Sequence, residues 1–265
     1  MNANIPKELT LAMLLNQATK DMPCLWEPLL PQNGLVCLAG SSDTGKSAFL
    51  RQFAMCVCAG KDTFLDMKLN PRYRSVIYCS TEDNETAIAW LANKQNNTLC
   101  IPTEHLERFR LLFDCRRELV AELDRRISIA PVDVVIIDCY SDIFSGDIND
   151  NNQVRSYMSK YEELCERHDC LVLFLHHCGK RTEDMVPSKH NLVGSQTFEA
   201  KMRTVLELRN DCANPHRKYL TCLKGNYVSP EYKNRMMELS FGDDLVFFRI
   251  GVVPVSDTKI KRISK

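Results

Sequence analysis

The stretch from Gly34 to Gly60 constrains the fold of this chain more than any other segment. An apolar run at 35–39 leads into an octet that fits the phosphate-binding pattern G-x-x-x-x-G-K-[ST], namely Gly40, Ser41, Ser42, Asp43, Thr44, Gly45, Lys46 and Ser47. The apolar, glycine-free segment 47–59 then predicts a helix that stops at Gly60. The sequence therefore predicts a strand, a phosphate-binding loop and a helix in immediate succession.

These residue types suit the phosphates of a nucleotide. Glycines let the backbone curl so that its N–H groups face an anion, and the helix N-terminus adds partial positive charge. Lys46 can reach the β- and γ-phosphates, and Ser47 can ligate Mg²⁺. We therefore expect ATP and Mg²⁺ as cofactors, with the whole octet around the nucleotide.

A second signal is the β-branched run 134–137, which ends in Asp138. Such a run is typical of a strand buried on both faces of a parallel sheet. Asp138 is then expected beside the phosphate loop, where an acid can hold the hydration shell of Mg²⁺. The apolar run 75–80 ends similarly in Glu82 and Asp83, and ligands of open α/β sheets bind at the carboxyl ends of strands.

Strands alternate with helices at first, and strands follow strands later. The predicted strands lie at 35–39, 75–80, 109–113, 131–138, 171–176, 203–208, 218–223, 236–241 and 245–250, and the predicted helices at 9–19, 47–59, 85–96, 116–127 and 153–168. The pattern favours an α/β fold: a mostly parallel β-sheet flanked by helices, with antiparallel C-terminal strands. We divide it into an N-terminal helix and lead-in (1–33), a central domain that carries the phosphate-binding loop (34–250) and a basic C-terminal tail (251–265).

Composition narrows the class of protein. Hydrophobic residues make up 45% and charged residues 26%, values typical of a soluble globular protein. The formal net charge is zero, so contact with nucleic acid would have to come from local loops. No apolar run approaches the roughly 20 residues of a membrane span, and we expect a cytoplasmic protein with no membrane association.

The thirteen cysteines are scattered and form no C-x-x-C pair, so the zinc-ribbon spacing is absent. We expect free thiols rather than disulfides in this compartment. The cluster His176-His177-Cys178 suggests a metal only weakly, because adjacent residues of a strand point to opposite faces.

The order of these motifs resembles that of the RecA-like P-loop ATPases of the RepA type. These are hexameric replicative helicases of plasmids and mobile elements, an AAA_25-like group with DnaB and KaiC as wider relatives. The resemblance covers roughly 26–227. It implies a RecA-like P-loop NTPase fold, ATP hydrolysis, and a homo-oligomer, a hexameric ring, that binds single-stranded DNA.

The resemblance also implies roles for individual residues. Glu82 corresponds to the glutamate that orients the attacking water, and Asp138 to the Walker-B acid. His177, the second of the paired histidines, corresponds to the residue that senses the γ-phosphate.

Two further residues correspond to groups that act on a neighbouring subunit. The segment beginning at Gly194-Ser195 is similar to the one that delivers an arginine finger; Arg203 occupies that position, with Lys201 close by. Lys224 lies in a segment, 223–227, that is similar to a late strand acting in trans. A single RecA-like domain leaves one side of the γ-phosphate without protein contacts. In a ring of identical subunits, the neighbouring subunit would cover that side and supply an arginine.

Alternatives remain open. A single-stranded DNA channel usually pairs positive charge with stacking aromatics. The loop 178–195 has no Trp, Tyr or Phe, and the negative charges of Glu183 and Asp184 offset the positive charges of Lys180 and Arg181.

A KaiC-like regulatory or assembly ATPase that acts on a protein partner is an alternative that suits the neutral net charge of the chain. A small-molecule kinase fits less well, because it needs no water-orienting glutamate. Trp26 is either a core plug or a lid over the nucleotide base.

Overall fold

The structure is a computed structural model, and it describes residues 8–16, 21–115, 118–179, 185–194 and 196–257. Outside these ranges lie several predicted features: the basic tail at 259–265, Ser195, the loop residues Lys180, Arg181, Glu183 and Asp184, and one end of each of the helices expected at 9–19 and 116–127.

A nine-stranded sheet forms the centre of the molecule. Two short hairpins lie outside it, β1 (Cys24–Trp26) with β2 (Leu30–Pro31) and β4 (Thr63–Phe64) with β5 (Met67–Lys68). The sheet strands are β3 (Gly34–Gly40), β6 (Val76–Ser80), β7 (Phe109–Leu112), β8 (Val134–Asp138), β9 (Leu171–His177), β10 (Thr204–Asn210), β11 (Arg217–Gly225), β12 (Arg235–Phe241) and β13 (Phe247–Pro254).

The order across the sheet is β13-β12-β11-β10-β3-β9-β8-β6-β7. The strands from β10 to β7 in this order pair in parallel, and β11, β12 and β13 add antiparallel strands at one side. The predicted division into a parallel part and an antiparallel C-terminal part is therefore correct. Because the parallel strands share one direction, the segments after β3, β6, β8 and β9 emerge at the same edge of the sheet.

Helices cover both faces of the sheet. They are α1 (Leu11–Leu15), α2 (Lys46–Ala59), α3 (Glu85–Leu99), α4 (Thr103–Leu106), α5 (Leu119–Ile129), α6 (Tyr140–Ile143), α7 (Asn151–His168), α8 (Gln196–Lys201) and α9 (Pro230–Lys233), with 3-10 turns at Lys189–Asn191 and Val255–Asp257. The core on one face includes α2 and the core on the other includes α5 and α7. The four short helices α4, α6, α8 and α9 were not predicted, since each is too brief to show a helical period.

Helix α2 is buried almost all round, as its mostly apolar sequence predicts. It ends at Gly60, whose positive φ of 62° is the left-handed conformation that glycine adopts freely. The predicted C-terminal stop is thus confirmed. In the described part of the chain, no helix has the length and apolar character to cross a membrane.

The lead-in packs onto this helix through Trp26. The Trp26 ring is fully buried against Phe49, Phe53 and Phe64, and its Nε1 donates a hydrogen bond to the Phe64 carbonyl at 3.0 Å. Trp26 is therefore a core plug and not a lid. The N-terminal helix α1 is short, and its residues are exposed to solvent in the single chain.

Candidate functional site

The loop between β3 and α2 has the tight, curled backbone that its sequence predicts. A Cβ on Gly40 would lie 2.5 Å from the Leu208 carbonyl oxygen, so only glycine fits there. Gly45 has a φ of 87° and packs against the rings of Phe241 and Phe247. The loop is closed by Lys46, whose Nζ donates a hydrogen bond to the Ser41 carbonyl at 2.5 Å. These contacts hold the loop in a curve at the N-terminus of a 14-residue helix, an arrangement that binds anions.

Lys46 is the cation of this loop. Burial lowers the pKa of its amine, and nearby carboxylates, Asp138 and Glu82, act in the opposite direction. Placing phosphate oxygens beside the ammonium group would replace the hydration that the amine has lost.

Asp138 lies at the end of β8, beside the start of α2. It is 6% exposed, and burial raises the pKa of its carboxyl, while hydrogen bonds from the Tyr78 and Ser47 hydroxyls lower it. The other carboxylate oxygen, Oδ1, is buried and has no hydrogen-bond partner among the described residues. An unpaired buried carboxylate oxygen next to a serine hydroxyl fits the oxygen-rich surroundings that Mg²⁺ and its bound waters require. The residues present therefore fit the predicted metal.

Glu82 and His177 lie together at the same edge of the sheet. Glu82 follows β6 and is exposed, and His177 ends β9 and is half-buried. A carboxylate oxygen of Glu82 and a ring nitrogen of His177 lie within 4.8 Å of each other. Burial and the neighbouring Lys46 charge lower the pKa of His177, so its imidazole is neutral at pH 7.

The two histidines face opposite ways, as alternation along a strand predicts. His176 is buried against the rings of Tyr140 and Phe198, and its Nε2 lies 2.8 Å from the Val193 carbonyl. Burial lowers the pKa of His176 to about 4. Of the pair, only His177 is therefore placed towards the phosphate loop.

Thr81 joins the ends of β6 and β8 below this group. Its backbone N–H and its hydroxyl both donate hydrogen bonds to the Asp138 carbonyl, each at 2.8 Å. The same hydroxyl accepts a bond from the Cys139 N–H at 2.9 Å. The positions of Glu82 and Asp138 are thereby fixed relative to each other.

Arg203 lies far from the phosphate loop of its own chain. Its backbone N–H donates to the Leu35 carbonyl at 2.7 Å, and its side chain lies against Gly34, at the amino end of β3. The loop begins at Gly40, about 20 Å away along the strand. The Arg203 side chain is exposed, and within the described residues it has no carboxylate partner.

Two other predicted basic residues are held by acids of the same chain. The Lys224 amine lies 3.2 Å from a Glu199 carboxylate oxygen and also donates to the Glu199 and Ala200 carbonyls. Lys201 pairs with Glu162 at 2.6 Å. Neither residue belongs to the group around Lys46.

Two contributors to the site escaped sequence reasoning. Tyr78 lies inside an apolar strand, and its hydroxyl donates a hydrogen bond to the Asp138 carboxylate. Arg51, in α2, is 2% exposed, and its Nε donates to the Gln95 side chain at 2.6 Å. A single arginine within an otherwise buried helix was a usable signal, because arginine is rarely buried without a role. Nothing in the sequence marked Tyr78.

Two clefts lie near the site, and one of them is lined by a residue of the phosphate loop. One, of about 440 Å³, lies beside Glu82 and is also lined by Phe113 and Asp114. The other, of about 360 Å³, lies between Asp43 and the turn 210–215. The second cleft thus gives the phosphate loop open space on the Asp43 side, and the first lies beside the proposed catalytic glutamate.

Comparison with known proteins agrees with this geometry. The model of a family described as AAA domain (AAA_25) matches residues 6–183. The ATPase domain of G40P has a similar structure, with a TM-score of 0.69 and 12% identity over 90% of this chain and 95% of that one. The RadB recombinase is also similar, with a TM-score of 0.58 and 15% identity over 82% of this chain and 91% of that one. No curated protein matches by sequence. These likenesses confirm the predicted RecA-like P-loop fold.

Proposed function

Because the chain belongs to the AAA-domain family and has the fold of a RecA-like P-loop ATPase, we propose that it is an ATP-hydrolysing motor that works as a ring. It would move along single-stranded DNA. Its role would be that of a replicative DNA helicase or translocase of the plasmid or mobile-element type. The proposal separates into a hydrolytic site, an assembly and a DNA partner.

The hydrolytic site is supported by the group at the carboxyl ends of β3, β6, β8 and β9. The loop amides and Lys46 would hold the phosphates, and Ser47 and Asp138 would hold Mg²⁺, which neutralises phosphate charge when it is bound. Glu82 would orient the attacking water and accept its proton. His177 would contact the γ-phosphate through a neutral imidazole.

The position of Arg203 is the observation that supports the ring most strongly. An arginine that contacts the transferring phosphoryl group stabilises the charge of the transition state and increases the rate of hydrolysis greatly. In this chain Arg203 is exposed at the opposite edge of the sheet, about 20 Å from Gly40, farther than an arginine side chain reaches. A second copy could place its Arg203 against the first copy's phosphate loop. Contacts of this head-to-tail kind generate rings when the rotation closes, and a hexamer is the size we propose.

Lys224 is proposed to help Arg203 in trans. In the isolated chain Glu199 and two carbonyls occupy its amine, and its side chain is 17% exposed. Binding to a neighbour's nucleotide would therefore require exchange of the Glu199 contact for a phosphate contact. Lys224 is thus suited to act only once the subunits have assembled.

Single-stranded DNA is supported by the loops at the edge of the sheet that carries the site. The candidate loops are 145–152, which leads from β8 and α6 into α7, and 178–195, which follows β9, so both are connected to strands that end in site residues.

The test is the rate of ATP hydrolysis with and without single-stranded DNA, measured alongside the native mass. Stimulation of turnover by DNA, binding that weakens steeply with salt, and a multiple of the chain mass are the expected results. Turnover that is indifferent to DNA at every salt concentration would contradict the motor.

The second candidate is a KaiC-like regulatory or assembly ATPase that acts on a protein partner. It is favoured by the zero net charge and by the lack of aromatic residues between Cys178 and Gln196. Under this alternative the protein still forms a ring and hydrolyses ATP, but DNA changes neither its rate nor its mass.

A further inference from the structure

Three donor side chains of different chemistry meet at the edge of the sheet. Glu82, Cys139 and His177 follow or end the neighbouring strands β6, β8 and β9, and their donor atoms all lie within 4.8 Å of one another. The Cys139 Sγ is 3.9 Å from a Glu82 carboxylate oxygen. This trio, which we call the thiol cluster, comprises one oxygen, one sulfur and one nitrogen donor.

We propose that the thiol cluster is a binding site for a thiophilic divalent cation, Zn²⁺ in the first instance. Zinc binds Cys sulfur at about 2.3 Å, His nitrogen at about 2.0–2.1 Å and carboxylate oxygen at about 2.0–2.2 Å, in a tetrahedron. Such a tetrahedron separates its ligand atoms by about 3.3–3.6 Å. The three donors therefore have to approach one another by only about 1 Å, which rotation of the side chains can supply.

The cluster has three protein donors, which leaves a fourth position of the tetrahedron open. Glu82 is exposed and His177 half-buried, whereas Cys139 is buried, so the cation would enter between the glutamate and the histidine. A three-ligand site with one open position is the arrangement of exchangeable zinc rather than of a closed structural site.

The donor set distinguishes this site from that of Mg²⁺. Magnesium takes oxygen ligands, and its proposed ligands are the Ser47 hydroxyl and the Asp138 carboxylate. Thiolate and imidazole instead select zinc and other soft cations. Burial raises the pKa of the Cys139 thiol to about 11, so a bound cation has to displace the thiol proton, and the nearby carboxylates of Asp142 and Asp138 favour a positive charge there. The positive charge of Lys46 lies in the same region and repels a cation. The affinity of the thiol cluster for zinc therefore depends more on the bonds from Glu82, Cys139 and His177 than on the surrounding charges.

The consequence for turnover rests on the proposed function. A cation held by Glu82 would occupy the carboxylate that accepts a proton from water, and it would also occupy His177. Lys46 and Ser47 are not ligands of this cation. Zinc should therefore stop hydrolysis while the phosphate loop keeps its contacts with nucleotide, and removal of zinc by a chelator should restore the rate.

The direct test is a Co²⁺ titration of the nucleotide-free protein, because a thiolate–cobalt bond gives a charge-transfer absorption in the near ultraviolet. The background protein carries Cys100→Ser and Cys212→Ser, which removes two exposed thiols. We expect one equivalent of Co²⁺ to produce the absorption and Zn²⁺ to displace it. Cys139→Ser should abolish the band and weaken Zn²⁺ binding by roughly tenfold or more, since even loss of an outer-shell partner costs that much.

Cys178→Ser is the matched control. This buried thiol lies 3.7 Å from the Glu207 carboxylate but outside the cluster, so the band should survive its replacement. His177→Gln removes a ligand without touching a thiol and should weaken Co²⁺ binding as Cys139→Ser does. If Cys139→Ser does not fold, the Co²⁺ titration of His177→Gln decides whether the cluster binds the cation. Absence of the band in the background protein, or a band that persists in Cys139→Ser or in His177→Gln, would overturn the site.

A second measurement separates the site from the proposed function. ATP turnover is followed at buffered free Zn²⁺, and the inhibition is compared between the background protein and Cys139→Ser, each relative to its own zinc-free rate. Inhibition that is at least tenfold less sensitive in Cys139→Ser supports the consequence, and equal sensitivity contradicts it. If the protein shows no turnover under any condition, the proposed function fails, while the cobalt result still decides the metal site.

Discussion

Replacing Tyr78 by phenylalanine removes one hydroxyl from the interior and leaves the volume of the core almost unchanged. That hydroxyl donates a hydrogen bond to Asp138, a carboxylate that is 6% exposed. Hydrogen bonds to charged groups contribute about 1.5–3 kcal/mol, and bonds between neutral groups about 1 kcal/mol. We expect Tyr78→Phe to lower the unfolding temperature by about 3–12 °C at pH 7, given about 1.5–3 kcal/mol for the bond and about 2–4 °C per kcal/mol for a domain of this size.

The effect should depend on pH in a defined direction. The Tyr78 hydrogen bond lowers the pKa of Asp138, so its loss leaves a carboxyl whose folded pKa is raised further above the unfolded value. A raised folded pKa destabilises the protein where the acid is ionised in both states. The deficit of Tyr78→Phe relative to wild type should therefore be full at neutral pH and should shrink as the pH falls through the folded pKa of Asp138.

Tyr161→Phe is the matched control, because Tyr161 is also fully buried and, in the described part of the chain, its hydroxyl hydrogen-bonds only with the Tyr157 hydroxyl, at 3.1 Å. It should cost about 1 kcal/mol at pH 7, and removal of this neutral pair leaves the Asp138 carboxyl unaffected. Thermal unfolding of both variants at several pH values gives the comparison. Equal losses at pH 7, or a Tyr78→Phe deficit that does not change with pH, would refute the argument that Tyr78 stabilises a buried charge.

Three other outcomes are expected. Lys46→Ala should abolish hydrolysis and weaken the binding of a fluorescent nucleotide; tight binding in that variant would remove Lys46 from the phosphate site. Glu82→Gln should stop turnover and keep nucleotide affinity, whereas a normal rate would remove Glu82 from the mechanism. The folded pKa of His176, about 4, lies below the unfolded value of 6.5, so stability should fall as pH drops through this window, by about 3 kcal/mol in total. His176→Gln, which can still donate to the Val193 carbonyl, should lose less stability there, and an unchanged acid response would contradict a buried neutral imidazole.

Much of the fold could be predicted because its signals are local. The phosphate loop is a contiguous motif, and the β-branched run at 134–137 identifies a buried parallel strand without knowledge of its neighbours. Gly60 stops α2 through its own backbone conformation. Parallel strands then place the acids Glu82 and Asp138 at one edge of the sheet, whereas the role of His177 is implied only by the family resemblance.

The remainder depends on contacts between distant segments, which a single sequence does not display. The Tyr78 hydroxyl meets Asp138 only because β6 and β8 pair in register. In the sequence Cys139 is one of thirteen scattered cysteines, and its proximity to Glu82 and His177 arises from the order of three strands. The resemblance implies that Lys224 acts on the nucleotide of a neighbouring subunit, and within one chain Glu199 contacts its amine.

The central claim is that the hydrolytic site is shared between copies, with Lys46 from one and Arg203 from the next. Mixing Lys46→Ala with Arg203→Ala subunits tests it directly, because each is inactive alone under this account. A mixed ring contains interfaces in which an intact Lys46 faces an intact Arg203, so ATP turnover should reappear and peak near equal proportions. Turnover that stays at zero at every mixing ratio, or a wild-type protein that remains monomeric with an undiminished rate on dilution, would contradict it.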